Sequence, residues 1–108
     1  MLANQNMNPG AQPNPYLVQK IMTASPEELV SYIYEAAIKG CAMKDNRRTL
    51  EAVQELINSL NFEAGEVSSN FYQVYSGIMT LIHNDEFDQA QEILIDLRRT
   101  WKQAMNLR

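Results

Sequence analysis

The chain is poor in the residue types that do covalent or metal chemistry. Its 108 residues include one histidine, His83, and one cysteine, Cys41. A di-iron bundle needs Glu-x-x-His pairs on facing helices, and the residue three before His83 is Thr80. A lone histidine builds no His-rich metal site and reads as a helix-end or surface side chain. Cys41 lies in an apolar run and reads as a small buried hydrophobe, with no visible partner for a nucleophilic pair. Gly10, Gly40, Gly65 and Gly77 are scattered singly, so no glycine-rich loop cradles a phosphate. The nearest enzyme class is a small helical pericyclic enzyme of the chorismate mutase kind, which grips a dianion with buried arginine and lysine. Arg47, Arg48, Arg98 and Arg99 instead flank expected helix ends or fall on a wet face. The residues therefore point to a protein that binds, without enzymatic activity, cofactor or metal.

Charge and composition narrow what it binds. Nine lysines and arginines against thirteen aspartates and glutamates give a net charge of −4, with no basic run. Such a chain is a poor grip for nucleic acid phosphates or an anionic bilayer. The longest uncharged stretch, 67–84, interleaves Ser68, Ser69, Asn70, Gln73, Ser76, Thr80 and His83 with its apolar residues. It fails the test of about 20 predominantly apolar residues that a membrane span requires. The Asn/Gln/Pro-rich start has no basic cluster and no apolar run, so no signal peptide is expected. With one cysteine and no internal disulfide, the expected compartment is the reducing cytoplasm.

The elements that would carry a binding surface are helices. Residues 1–14 read as a flexible tail and 15–108 as one domain. Residues 16–22 are a short apolar turn or two that docks on the body. Ser25-Pro26-Glu27-Glu28 is a strong helix start, with serine at the N-cap, proline at the first position and a glutamate to close a capping box. That helix runs to about Met43, and Lys44-Asp45-Asn46 breaks it. Leu50, Val53, Ile57 and Leu60 form the next apolar stripe. After a loop at Ala64-Gly65, Val67, Phe71, Val74/Tyr75, Ile78 and Ile82 repeat the pattern. Asn84-Asp85 is expected to stop that helix and cap the last one, which carries Phe87, Ala90, Leu94, Leu97, Trp101 and Met105. The fold class is all-α, an antiparallel four-helix bundle with a short N-terminal helical cap segment.

Two of these helices depart from a plain bundle. Eleven of the fifteen residues 29–43 are apolar; the exceptions are Ser31, Glu35, Lys39 and Gly40. The first three join Glu28 in one narrow polar stripe, with a Glu35–Lys39 pair four residues apart. A helix that is apolar nearly all round must be covered nearly all round, and three neighbours cover about half to two-thirds of it. The outer face of 67–84 carries Asn70, Gln73, Ser76, Thr80 and His83, with Tyr72 nearby and no charge. The last helix, by contrast, turns Asp88, Glu92, Asp96, Arg98, Arg99 and Lys102 outward. Charge depletion with exposed tyrosine is typical of an interface core. A groove partner is thus expected on one flank of 29–43 and on the charge-free face of 67–84. The candidate contacts are Leu29, Ile33, Tyr34, Phe71, Tyr72, Tyr75 and Ile78. The same apolar face also suits an adaptor bundle that self-associates.

The residues also carry a family pattern. Asn14-Pro15-Tyr16, Thr23-Ala24-Ser25-Pro26-Glu27-Glu28-Leu29 and Ile33-Tyr34-Glu35-Ala36-Ala37-Ile38 resemble the N-P-Y segment, helix start and helix body of the FliS family of flagellin export chaperones. Gly65-Glu66-Val67, Asn70-Phe71, Val74-Tyr75 and the closing Thr100-Trp101-Lys102-Gln103-Ala104 continue that likeness. The resemblance implies a cytoplasmic chaperone without ATP, a monomer or weak homodimer. Its implied partners are the disordered C-terminal segment of flagellin and components of the type III export machinery. It further implies that the N-terminal segment, through Tyr16, Leu17 and Ile21, covers a groove when the client is absent.

Overall fold

The computed structural model describes residues 14–60 and 65–107. Of the expected tail only Asn14 is among them, and Ala64 of the expected loop lies outside them. All regular structure among the described residues is helical: α1 (Pro15–Met22), α2 (Pro26–Ala42), α3 (Asn46–Asn58), α4 (Glu66–His83) and α5 (Phe87–Ala104).

Local chemistry sets the helix ends. At α2 the capping box is complete. The Glu28 N–H donates to Ser25 Oγ at 3.2 Å, and the Ser25 N–H donates to the Glu28 carboxylate at 2.9 Å. α2 closes with the Asp45 N–H on Gly40 O and the Lys44 N–H on Cys41 O, a paired ending that puts Lys44 in the left-handed region at φ 53°. Asp45 then turns about and caps α3, its carboxylate accepting from the Arg48 N–H at 3.1 Å. α4 starts at Gly65, whose φ of 72° a side chain would strain.

The start of α5 corrects one expectation. Asp85 does not cap it. Instead Asp85 sits at φ 59° and completes the same paired ending on α4, with its N–H on Ile82 O and the Glu86 N–H on Leu81 O. Glu86 occupies the N-cap; its carboxylate accepts from Gln89 Nε2 at 3.2 Å and caps no backbone N–H. Asp85 falls one position short of the N-cap and takes the left-handed backbone that Lys44 takes before α3, whereas Asp45 falls on the cap position itself.

α2 packs against α3 and α5, and α4 also packs against α3 and α5, so α2 and α4 stand opposite each other across the core. Side-chain ties fix the directions. Trp101 Nε1 donates to Glu27 O at 2.9 Å and Gln91 Nε2 to Ile38 O at 3.3 Å, so α5 runs against α2. Asn46 Nδ2 donates to Ile82 O at 3.1 Å, joining the start of α3 to the end of α4. The core holds Tyr34, Ala37 and Cys41 from α2, Ala52, Val53 and Leu56 from α3, Tyr75, Ile78 and Ile82 from α4, and Phe87, Ala90 and Leu94 from α5.

The stripes are shifted in places from those the spacing predicts. On α3 the fully buried set is Thr49, Val53 and Leu56, with Leu50, Ile57 and Leu60 half-buried at its margins. On α4, Val67 is exposed and Ser68 is buried in its place. Ser31 leaves the polar stripe of α2: it is buried, and its hydroxyl donates to Glu28 O at 2.9 Å. Among the described residues, Glu35 and Lys39 form no ion pair. α1 contributes no buried residue; the Lys20 ammonium lies 5.2 Å from the centre of the Tyr32 ring.

Candidate functional site

A groove of about 490 Å³ runs along the surface between α2 and α3. Its geometry starts from small residues. Gly40 lets the two helices close up, for a Cβ there would lie 3.2 Å from the Thr49 Cα and collide with the Thr49 hydroxyl. One turn away from that pinch, Ala36 and Ala52 line the groove, too short to fill the space between the backbones. Leu29 and Ile33 of α2 add its apolar wall, and Ile21 of α1 reaches its end. Tyr32 stands at the edge. Arg48, Glu51 and Glu55 rim it on the α3 side, and their aliphatic stems extend the apolar surface while the charged heads stay wet. The exposed lining is almost wholly apolar.

A second, smaller groove of about 200 Å³ lies among Val30, Leu60, Phe71 and Trp101. It meets Tyr75 from outside, next to the start of α4.

The ten residues expected at a binding surface separate into groups. Ile21, Leu29 and Ile33 come together in the α2–α3 groove. Phe71 lines the smaller groove. Tyr16 and Leu17 are exposed on α1 and outside both. Tyr72 is 46% exposed on α4 and outside both as well. Tyr34, Tyr75 and Ile78, at 1%, 3% and 1% exposure, are core residues and offer no free surface in this conformation. They face inward because α2 and α4 oppose each other, which turns Tyr34 and Tyr75 toward the same central line. Their hydroxyls share a hydrogen bond of 2.6 Å, and the rings lie tilted at 6.4 Å between centres.

Burial pushes both phenols above the ordinary tyrosine range. Ionising either would place a charge in a core that water does not reach. Cys41 is pushed up to about 11 by burial, which keeps it a protonated, inert thiol. His83 ends α4 and is exposed.

Sequence reasoning missed Tyr32, Ala36, Arg48, Glu51, Ala52 and Glu55 as groove residues. Arg48, Glu51 and Glu55 are exposed charged residues on the wet side of α3, and only the helix pairing brings that side against Leu29 and Ile33. Ala36 and Ala52 carried a signal: small residues on two adjacent helices leave space that a larger side chain would occupy.

The chain matches the family described as flagellar protein FliS over residues 42–108, more than half its length. It belongs to the FliS family. No curated protein and no solved structure matches it. In this FliS-family chain the match covers α3, α4 and α5, and the Asn14–Tyr16 and Thr23–Leu29 blocks precede it. Several residues of the family pattern serve the fold here. Ser25 and Glu28 close the capping box, Tyr75 bonds Tyr34 in the core, and Trp101 pins α5 to the start of α2. No described helix is long and apolar enough to cross a membrane.

Proposed function

We propose that this FliS-family chain is a cytoplasmic flagellar export chaperone, a binding protein and not an enzyme. In this reading it holds the disordered C-terminal segment of flagellin, prevents premature polymerisation and presents the subunit to type III export components. The observation that carries the reading is the open, almost wholly apolar groove between α2 and α3, bounded by Ile21, Leu29 and Ile33. Recognition is then helix-in-groove: the client orders on binding, and burial of its apolar side chains against this wall offsets the ordering cost. Residues 15–108 act as one domain, an antiparallel bundle of α2 to α5, with α1 as a cap at the groove end and 1–14 as a tail.

A second reading rests on α4. Val67, Tyr72 and Val74 are exposed there on a helix without charge between Glu66 and Asp85, a surface suited to self-association.

Calorimetry with a flagellin C-terminal peptide tests the first reading. One-to-one binding is expected, and Leu29→Glu, at a position already 37% exposed, should weaken it about tenfold or more with little change in the unfolding midpoint. Undiminished affinity in Leu29→Glu removes the groove from the site. Sedimentation at rising concentration tests the second reading, which requires a dimer that Val74→Glu dissolves.

A further inference from the structure

We infer that the α2–α3 groove orients its occupant by charge: it takes an amphipathic helical segment with a basic side chain at its N-terminal end and an acidic one about two turns later, docked parallel to α2. The inference rests on the groove reading above and adds polarity to it.

The argument starts from the pinch at Gly40 and Thr49, which fixes the register of two antiparallel helices. From there α2 runs back through Ala36 and Ile33 to Leu29, while α3 runs forward through Ala52 to Glu55. Arg48 therefore marks the Ala36 end of the rim and Glu55 the Leu29 end. Seven residues of helix separate them, about 10 Å. Among the described residues neither has an ion-pair partner, whereas Glu51 between them is paired with Arg47 at 3.3 Å. The rim is thus positive at one end and negative at the other, over a lining that supplies apolar contact without direction.

A docked helix adds its own dipole, positive at the N-terminus and negative at the C-terminus. The dipole and the rim agree in one orientation only, with the N-terminus at Glu55 and the C-terminus at Arg48. That direction is parallel to α2. A lysine or arginine in the segment's first turn then faces Glu55, and a glutamate or aspartate about seven residues on faces Arg48. Each contact is partly exposed and modest, but the two together discriminate one direction from the other.

The test uses two acetylated, amidated helical peptides with the same leucines at i, i+4 and i+7. One has a lysine at i+1 and a glutamate at i+8, seven residues apart on one flank of the leucine stripe; the control has glutamine at both places. The charged peptide should bind the full chain about three- to tenfold tighter at low salt, and the advantage should vanish near 0.5 M salt. A nitroxide on its N-terminus should broaden the amides of Leu29 and Glu55 more than those of Ala36 and Arg48. In a protein carrying Arg48→Glu with Glu55→Lys, both exposed positions, that pattern should reverse. Equal affinity for the two peptides, or broadening centred on Ala36 and Arg48 in the native protein, overturns the inference while leaving the groove as a binding site. Binding of neither peptide overturns the groove reading as well.

Discussion

The hydrogen bond between Tyr34 and Tyr75 lies at the crossing of two opposed helices, and a mutant cycle can measure what it contributes. Both hydroxyls are buried, and among the described residues each has only the other as a partner. Tyr34→Phe removes one oxygen with almost no change of shape and leaves the Tyr75 hydroxyl buried without a partner. An unsatisfied buried polar group costs about 1–3 kcal/mol. The same holds for Tyr75→Phe. The double variant removes both hydroxyls, leaves no orphan, and should cost about 1 kcal/mol or less. With single costs near 2 kcal/mol and a double cost near 1 kcal/mol, the cycle returns a coupling of about 3 kcal/mol, whereas unconnected sites add to within about 0.5 kcal/mol. Urea unfolding followed by circular dichroism gives the four stabilities, and an unchanged slope licenses the comparison. Each single variant should melt about 8–16 °C lower, and the double should recover most of that loss. A double variant as unstable as the sum of the singles would refute the reasoning, because the two hydroxyls would then not depend on each other.

Other outcomes follow from the same geometry. Stability should fall above pH 10. The buried phenols keep their protons in the fold while the unfolded chain releases them near pH 10, so the native state binds more protons and loses at most about 1.4 kcal/mol per pH unit per tyrosine; a flat stability from pH 10 to 11 contradicts this. Cys41, with its thiol pushed up to about 11, should resist a disulfide reagent at pH 8 until urea unfolds the chain. Gly40→Ala should destabilise by about 1–3 kcal/mol, because the new methyl meets Thr49, and a neutral result denies the pinch. Gly77→Ala should stabilise by about 0.5–1 kcal/mol, since its Cβ meets nothing within 4 Å and alanine is the better helix former; denaturant midpoints decide both glycines.

Much of the helix map was legible because its signals are local. Ser25-Pro26-Glu27-Glu28 specifies a helix start through groups no more than three residues apart, and the capping box forms as those residues dictate. Three- and four-residue spacing likewise located α3, α4 and α5. What the spacing left open was the rotation of each helix about its axis. Val74 and Tyr75 are adjacent, so periodicity alone did not choose between them; Tyr75 goes inward because Tyr34 opposes it, and Val74 faces outward. Val67 and Ser68 exchange roles in the same way at the start of α4. The start of α5 was misread for a different reason. Asp85 has the side chain of a cap, but the closing turn uses its backbone in the left-handed region, which sequence alone hardly signals.

The groove was half legible. An apolar excess on α2 announced that a flank of Leu29 and Ile33 needed cover, and that flank is the open wall. Its other side was not readable, since Arg48, Glu51 and Glu55 look like any wet helix face until α3 is set against α2. Tyr34 and Tyr75 look like interface anchors by type alone, and only their mutual hydrogen bond explains why two tyrosines are tolerated at the centre of the core.

The central claim is that the α2–α3 groove receives the C-terminal segment of flagellin. Side-chain methyl spectra of the isotope-labelled full chain, titrated with that segment, test it most directly. The account predicts the largest shifts at Ile21, Leu29, Ile33, Ala36 and Ala52, saturating at one equivalent. Shifts confined to Val67 and Val74 on α4, with those groove methyls unmoved, would contradict it.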